Sequence, residues 1–140
     1  RGGLGVVSAG EKLRECGVGV LVVAALVGQS CETLKSLDLR MNSLGDKGVG
    51  TLAPALKGLL AITSLDLSSN SMSAKAGSTL GKALVGLSGL LELCVGVSRG
   101  ADGRVSKAAF AARNNLGANG AKAIWAISSL SSIDLRWLKT

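Results

Sequence analysis

Apolar residues recur along this chain with two periods, one of about two residues and one of about three to four, and the two take turns. Leu34, Leu37 and Leu39 open a stretch with alternate positions apolar, which predicts a short strand with one face turned inward and Ser36, Asp38 and Arg40 facing out. From Asp46 onward Val49, Leu52, Ala53 and Leu56 follow helical spacing, and Gly58 falls where a helix should stop. Pro54 lies inside that run, where it removes one hydrogen bond and crowds the carbonyl of Gly50, so a kink or a shortened helix is expected. The same order then returns, with Ile62, Leu65 and Leu67 followed by Ala76, Leu80, Ala83, Leu84 and Leu87, and with Gly86 near the end of the run.

Shifting the chain by 28 residues lays 34–59 on 62–87, and 13 of those 26 positions are identical, among them Asp38/Asp66, Asn42/Asn70 and Lys47/Lys75. The shared skeleton is L-x-x-L-x-L-x-x-N-x-L, with Ile62 and Met72 as apolar stand-ins in the second copy. Asn42 and Asn70 stand where the chain turns out of the strand, and a buried amide there can give donors and acceptors to the bare backbone of adjacent turns. Each unit therefore reads strand, turn, helix. The skeleton resembles the leucine-rich repeat, whose period is about 20 to 29 residues. A 28-residue unit with a true helix, and with Leu44-Gly45-Asp46-Lys47-Gly48 after the Asn, is similar to the ribonuclease-inhibitor-like class, which includes that inhibitor, Ran GTPase-activating proteins and the sensor regions of NOD-like receptors. The resemblance implies an α/β fold, a right-handed solenoid or horseshoe fragment with parallel strands on the concave side and helices on the convex side.

The pattern fits tightly from Leu34 to Val95 and breaks after it. A third unit opens on Leu90, Leu93 and Val95, but Ser98 and Gly100 stand where Asn and Leu belong. The register resumes at Asn114-Asn115-Leu116-Gly117, runs through Ala123 and Ile124, and ends on a fresh strand at Leu130, Ile133 and Leu135. The expected units are therefore 30–59, 60–87, 88–129 with an insert near 96–112, and a partial one at 130–140. Three accounts of the insert stand open: a basic, Gly-containing loop that meets an acidic partner, a segment outside the repeat design that is disordered or not native, or a helix over 106–112. Residues 1–29 match poorly and are read as a degenerate repeat, mainly a helix. The chain opens on Arg1 rather than Met and is read as an excerpt.

Composition narrows the chemistry. Without any His there is no Ser-His-Asp relay, no Cys-His pair and no imidazole ligand for zinc, which favours a non-enzyme with no cofactor and no metal. Cys16, Cys31 and Cys94 are an odd number at wide spacing, which suits free thiols in a reducing compartment and a cytoplasmic location. The apolar run 17–28 is too short for a membrane span, which needs about 20 residues, and reads as a buried repeat helix. The net charge of +7 is scattered apart from Arg99, Arg104, Lys107 and Arg113, offset locally by Asp102. With only Phe110, Trp125 and Trp137 as aromatics, stacking platforms are missing and nucleic-acid binding is not expected beyond weak attraction. Trp125, inside the last helical pattern, is expected in the core.

Stacked strands would align outward residues in columns: Ser36, Ser64, Glu92, Ser132; then Asp38, Asp66, Cys94, Asp134; then Arg40, Ser68, Gly96, Arg136, with Trp137 beside the last. No nucleophile or metal-ligand cluster accompanies the paired Asp38 and Asp66, so catalysis is not expected. Side chains fixed on a rigid sheet, with Arg and Trp at its edge, suit a protein partner. The resemblance also admits a GTPase-activating regulator of the Ran type, at the level of fold alone. Only two units are intact where at least three usually bury a continuous core, so marginal folding or self-association through uncapped ends is expected.

Overall fold

A computed structural model describes residues 6–8, 34–127 and 129–134. Strands β1 (Val6–Ser8), β2 (Ser36–Asp38), β3 (Ser64–Asp66), β4 (Glu92–Cys94) and β5 (Ser132–Asp134) form one sheet in chain order, every neighbouring pair parallel. Parallel neighbours need a long crossover. Helix α1 (Gly45–Lys57) supplies it between β2 and β3, and α2 (Ala74–Leu84) between β3 and β4. The crossover from β4 to β5 carries two helices, α3 (Lys107–Ala111) and α4 (Gly117–Trp125). Helix α1 packs on α2, and α2 on α4, so the helices stack in the same order as the strands.

The 28-residue shift becomes direct adjacency: Leu37 pairs with Leu65, Leu65 with Leu93, and Leu93 with Ile133. Behind the sheet the apolar positions stack as columns, Leu39 with Leu67 and Val95, Leu44 with Met72 and Leu116, Leu52 with Leu80 and Ile124, all buried. Burying one such Leu contributes roughly 1.5–3 kcal/mol, against about 1 kcal/mol net for a backbone hydrogen bond. With strands of only three residues, the columns hold the layers together more than the ladder does.

Asn42, Asn70 and Asn114 form a second, polar spine along the edge where each strand turns into its helix. The Asn70 side chain donates to the carbonyls of Leu39, Leu67 and Ser68 at 2.9–3.1 Å, and its Oδ1 accepts from the amides of Asn42 and Leu44. Asn114 repeats the arrangement one layer on, donating to Leu67 and Val95 and accepting from the amides of Asn70 and Met72. All three are buried. The turns they stabilise are tight enough that Met41, Ser43, Ser69 and Ser71 take positive φ, a left-handed conformation that costs about 1 kcal/mol or more for each non-glycine residue.

Several expectations need correction. Helix α1 is not cut short by Pro54 but runs through it for 13 residues: Pro54 is exposed on the outer side, where its missing amide faces solvent, while Val49, Leu52 and Leu56 anchor the inner side. Trp125 is 63 % exposed rather than in the core. Counting from the Asn residues, it occupies the place that Gly81 holds on α2, and Gly81 faces the next helix, at Ala123; Trp125 points away from α2 in the same sense. The helix expected within 1–29 falls outside the described residues, but Val6–Ser8 is a strand that sequence reasoning missed, with Val7 beside Leu37.

Candidate interaction surface

The outward rows follow from the register. Ser36 lies beside Ser64 and Ser64 beside Glu92, which continues to Ser132; Asp38 lies beside Asp66, Asp66 beside Cys94, and Cys94 beside Asp134. Neighbours in a row are about 4.8 Å apart, the spacing of paired strands. Glu92 and Arg40 are exposed, and Ser36, Ser64, Asp38, Asp66 and Cys94 are half-buried. Asp134 has its place in β5, while Arg136 and Trp137 lie outside the described residues.

The recurring Asp is used by its own chain. Asp38 Oδ1 accepts the Arg40 amide at 3.2 Å and its other oxygen pairs with Arg40 Nε at 3.1 Å. Asp66 Oδ1 accepts the Ser68 amide at 2.9 Å and the Ser68 hydroxyl at 2.6 Å. A carboxylate that bonds the amide two residues on is a turn device, so its recurrence every 28 residues has a local cause. Ser68, expected among the outward residues, is instead buried at 1 % exposure. Its hydroxyl is turned onto Asp66, and Arg40 Nη1 reaches over its row to the Arg99 carbonyl at 3.5 Å.

Where Cys94 replaces this Asp, the chain does not turn at once. It continues through Val97 and Ser98, both buried, into a loop in which Asp102 accepts the Arg104 amide at 2.9 Å, the same device reused. The extra segment is tied to the preceding turn at three points: the Ser98 amide donates to Ser69 Oγ (2.7 Å), Ser69 Oγ donates to the Ala109 carbonyl (2.9 Å), and the Ser71 amide donates to the Ala112 carbonyl (2.8 Å). Ser69 was not legible as a functional residue, since its counterpart one unit earlier is Met41. The segment borders an open pocket of about 450 Å³ lined by Met41, Ser98, Arg99, Arg104, Val105 and Ala109, among others.

On the helix side, Asp46 in the first turn of α1 accepts the amide and hydroxyl of Ser73, the residue that caps α2. Burial alone would raise this carboxyl, but the Ser73 hydroxyl and amide, the Ala76 amide and the charge of Lys75 outweigh it and hold the group below the usual carboxylate range. Among the described residues no three His, Cys, Asp or Glu side chains converge as a metal site would require, and no helix is long and apolar enough to cross a membrane.

The sequence profile of the Leucine Rich repeat family matches residues 30–53, the stretch holding β2, the Asn42 turn and most of α1. The chain thus carries a leucine-rich repeat, and the following layers copy its register. No curated protein matches the chain.

Proposed function

We propose that the chain is a protein-interaction module, part of a ribonuclease-inhibitor-like solenoid, which binds its partner on the open face of the sheet. Its activity is binding rather than catalysis. A helix follows each strand in the crossovers, and packed helices need about 8–10 Å where strands need about 4.8 Å. That mismatch bends a stack of such units with the strands inside, so the strand face would be the concave one.

The observation that carries the reading is the pair of in-register rows, Ser36–Ser64–Glu92 and Asp38–Asp66–Cys94, on a sheet whose other face is packed. Side chains held in this way lose little freedom on meeting a partner. Arg40, Glu92 and Ser64 are the residues through which a partner would make contact, while Asp38 and Asp66 shape the surface and Ser68 lies beneath it.

A photo-crosslinking amino acid at Ser64 or Glu92, compared with one at Lys47 on α1, tests this in cells expressing the chain. Protein adducts from the strand positions and none from Lys47 are expected. Adducts of equal yield from both sides, or none from the strand side, would refute it.

A further inference from the structure

Asn114 stands 44 residues after Asn70, where Asn70 stands 28 after Asn42, yet all three fill equivalent places in one hydrogen-bonded spine. Residues 97–112 are therefore not needed to close the repeat: without them Val95-Gly96 would run directly into Arg113-Asn114 and restore the 28-residue spacing. A segment the scaffold does not need is nonetheless fastened to it through Ser69 and Ser71. Together with the adjoining Arg113 it is also the most basic stretch of the described chain, with Arg99, Arg104 and Lys107 against Asp102 alone.

The fastening creates two open pockets on either side of Val105 and Ser106. One, of about 450 Å³, has Arg99 and Arg104 in its lining beside Met41 and Ala109. The other, of about 300 Å³, is lined by Val105, Ser106, Lys107 and Phe110. The Arg104 side chain is 89 % exposed, and its ion pair with Asp102 is long, at 3.8 Å, so solvent screens it and an incoming carboxylate can displace it. Phe110 is 43 % exposed, with the Arg113 guanidinium 4.3 Å from its ring centroid. Basic groups and an apolar wall thus lie side by side on one held segment.

We propose that this insert is a docking site for a protein segment in which acidic residues flank one bulky apolar residue. The carboxylates meet Arg99, Arg104 and Lys107, and the apolar side chain lies against Val105 and Phe110. Charge complementarity identifies the occupant as acidic. The adjoining apolar wall identifies it as protein, because single-stranded nucleic acid is held by successive stacking rings and Phe110 is the one ring in the segment. The site adjoins the row of Arg40, whose Nη1 donates to the Arg99 carbonyl, but does not depend on the strand rows having a partner.

The test is fluorescence anisotropy of the full chain with a short labelled peptide in which Asp and Glu flank a central Leu. Saturable binding is expected, weakened about tenfold by Arg104→Gln with Lys107→Gln, both exposed positions, and to a similar extent by Phe110→Ser. Glu92→Gln on the strand face should leave it unchanged, and circular dichroism of each variant confirms that the fold is kept. Absence of binding, equal binding by the charge variant, or weakening by Glu92→Gln would overturn the proposal. So would equal affinity for a peptide with Gly in place of Leu, or for a single-stranded oligonucleotide of the same charge, since either would show simple attraction for polyanions.

Discussion

Asn70 engages five backbone groups from two layers while fully buried, and no other type of side chain of that size offers two donors and an acceptor in the same plane. Asn70→Ala is expected to destabilise the chain by about 3 kcal/mol or more, because each orphaned buried group costs about 1–3 kcal/mol and solvent reaches only some of them. Equilibrium denaturation measures it, and a loss under about 1 kcal/mol would show the spine to be incidental. Asp46 gives a pH-dependent counterpart. Its carboxyl is held low in the folded chain, so the unfolded chain binds the proton more readily. The stabilisation is then fully present above the unfolded value of about 3.9 and is lost as pH falls through the lower folded one. Wild type and Asp46→Asn should differ in urea midpoint at pH 7 and converge as pH falls through the lowered folded value; a gap that persists once the carboxyl is protonated in both states would contradict the assignment. At this scale the sequence announced the Asn residues by their period. It did not announce Ser68 or Ser69, because an exposed and a buried serine look alike until the neighbour that covers them is in place.

The helices show where small residues matter. A Cβ on Gly77 would stand 2.6 Å from the Gly120 Cα, and one on Gly81 would stand 2.9 Å from the Ala123 Cβ, so α2 and α4 touch nearly backbone to backbone. Gly50, on the outer side of α1, has open space in the same position. Gly50→Ala should therefore stabilise by about 0.5–1 kcal/mol, the helix-propensity gain, whereas Gly77→Ala should destabilise by about 1–3 kcal/mol, because the clash falls on backbone that cannot yield. Thermal melts of the two variants should move in opposite directions, and a shift of both the same way would mean that the helices are not packed at this distance. Helix existence was readable from the spacing of Val49, Leu52 and Leu56. The effect of Pro54 was not, since that depends on which side of α1 faces the neighbouring layer.

At the scale of the whole chain, excising residues 97–112 makes a strong demand on the repeat register. The variant should still fold and unfold cooperatively, since it forfeits Val97, Ala109 and the three bonds made by Ser69 and Ser71 while keeping every leucine column. Failure of that variant to unfold cooperatively would mean that the segment belongs to the core. The layers themselves were legible because identical residues recur at one interval, and the interval alone dictates adjacency. The destination of the extra residues was not, because nothing in their own order specifies the serines of another turn that hold them. The close approach of α2 and α4 has one more consequence. In a stack of this kind the bend per layer depends on how much wider the helical side is than the sheet side, and a pair of glycines narrows that side at a single junction. On the proposed solenoid reading the arc would straighten locally between the second and third layers, tilting everything from β4 onward, the insert included, relative to the strands before it.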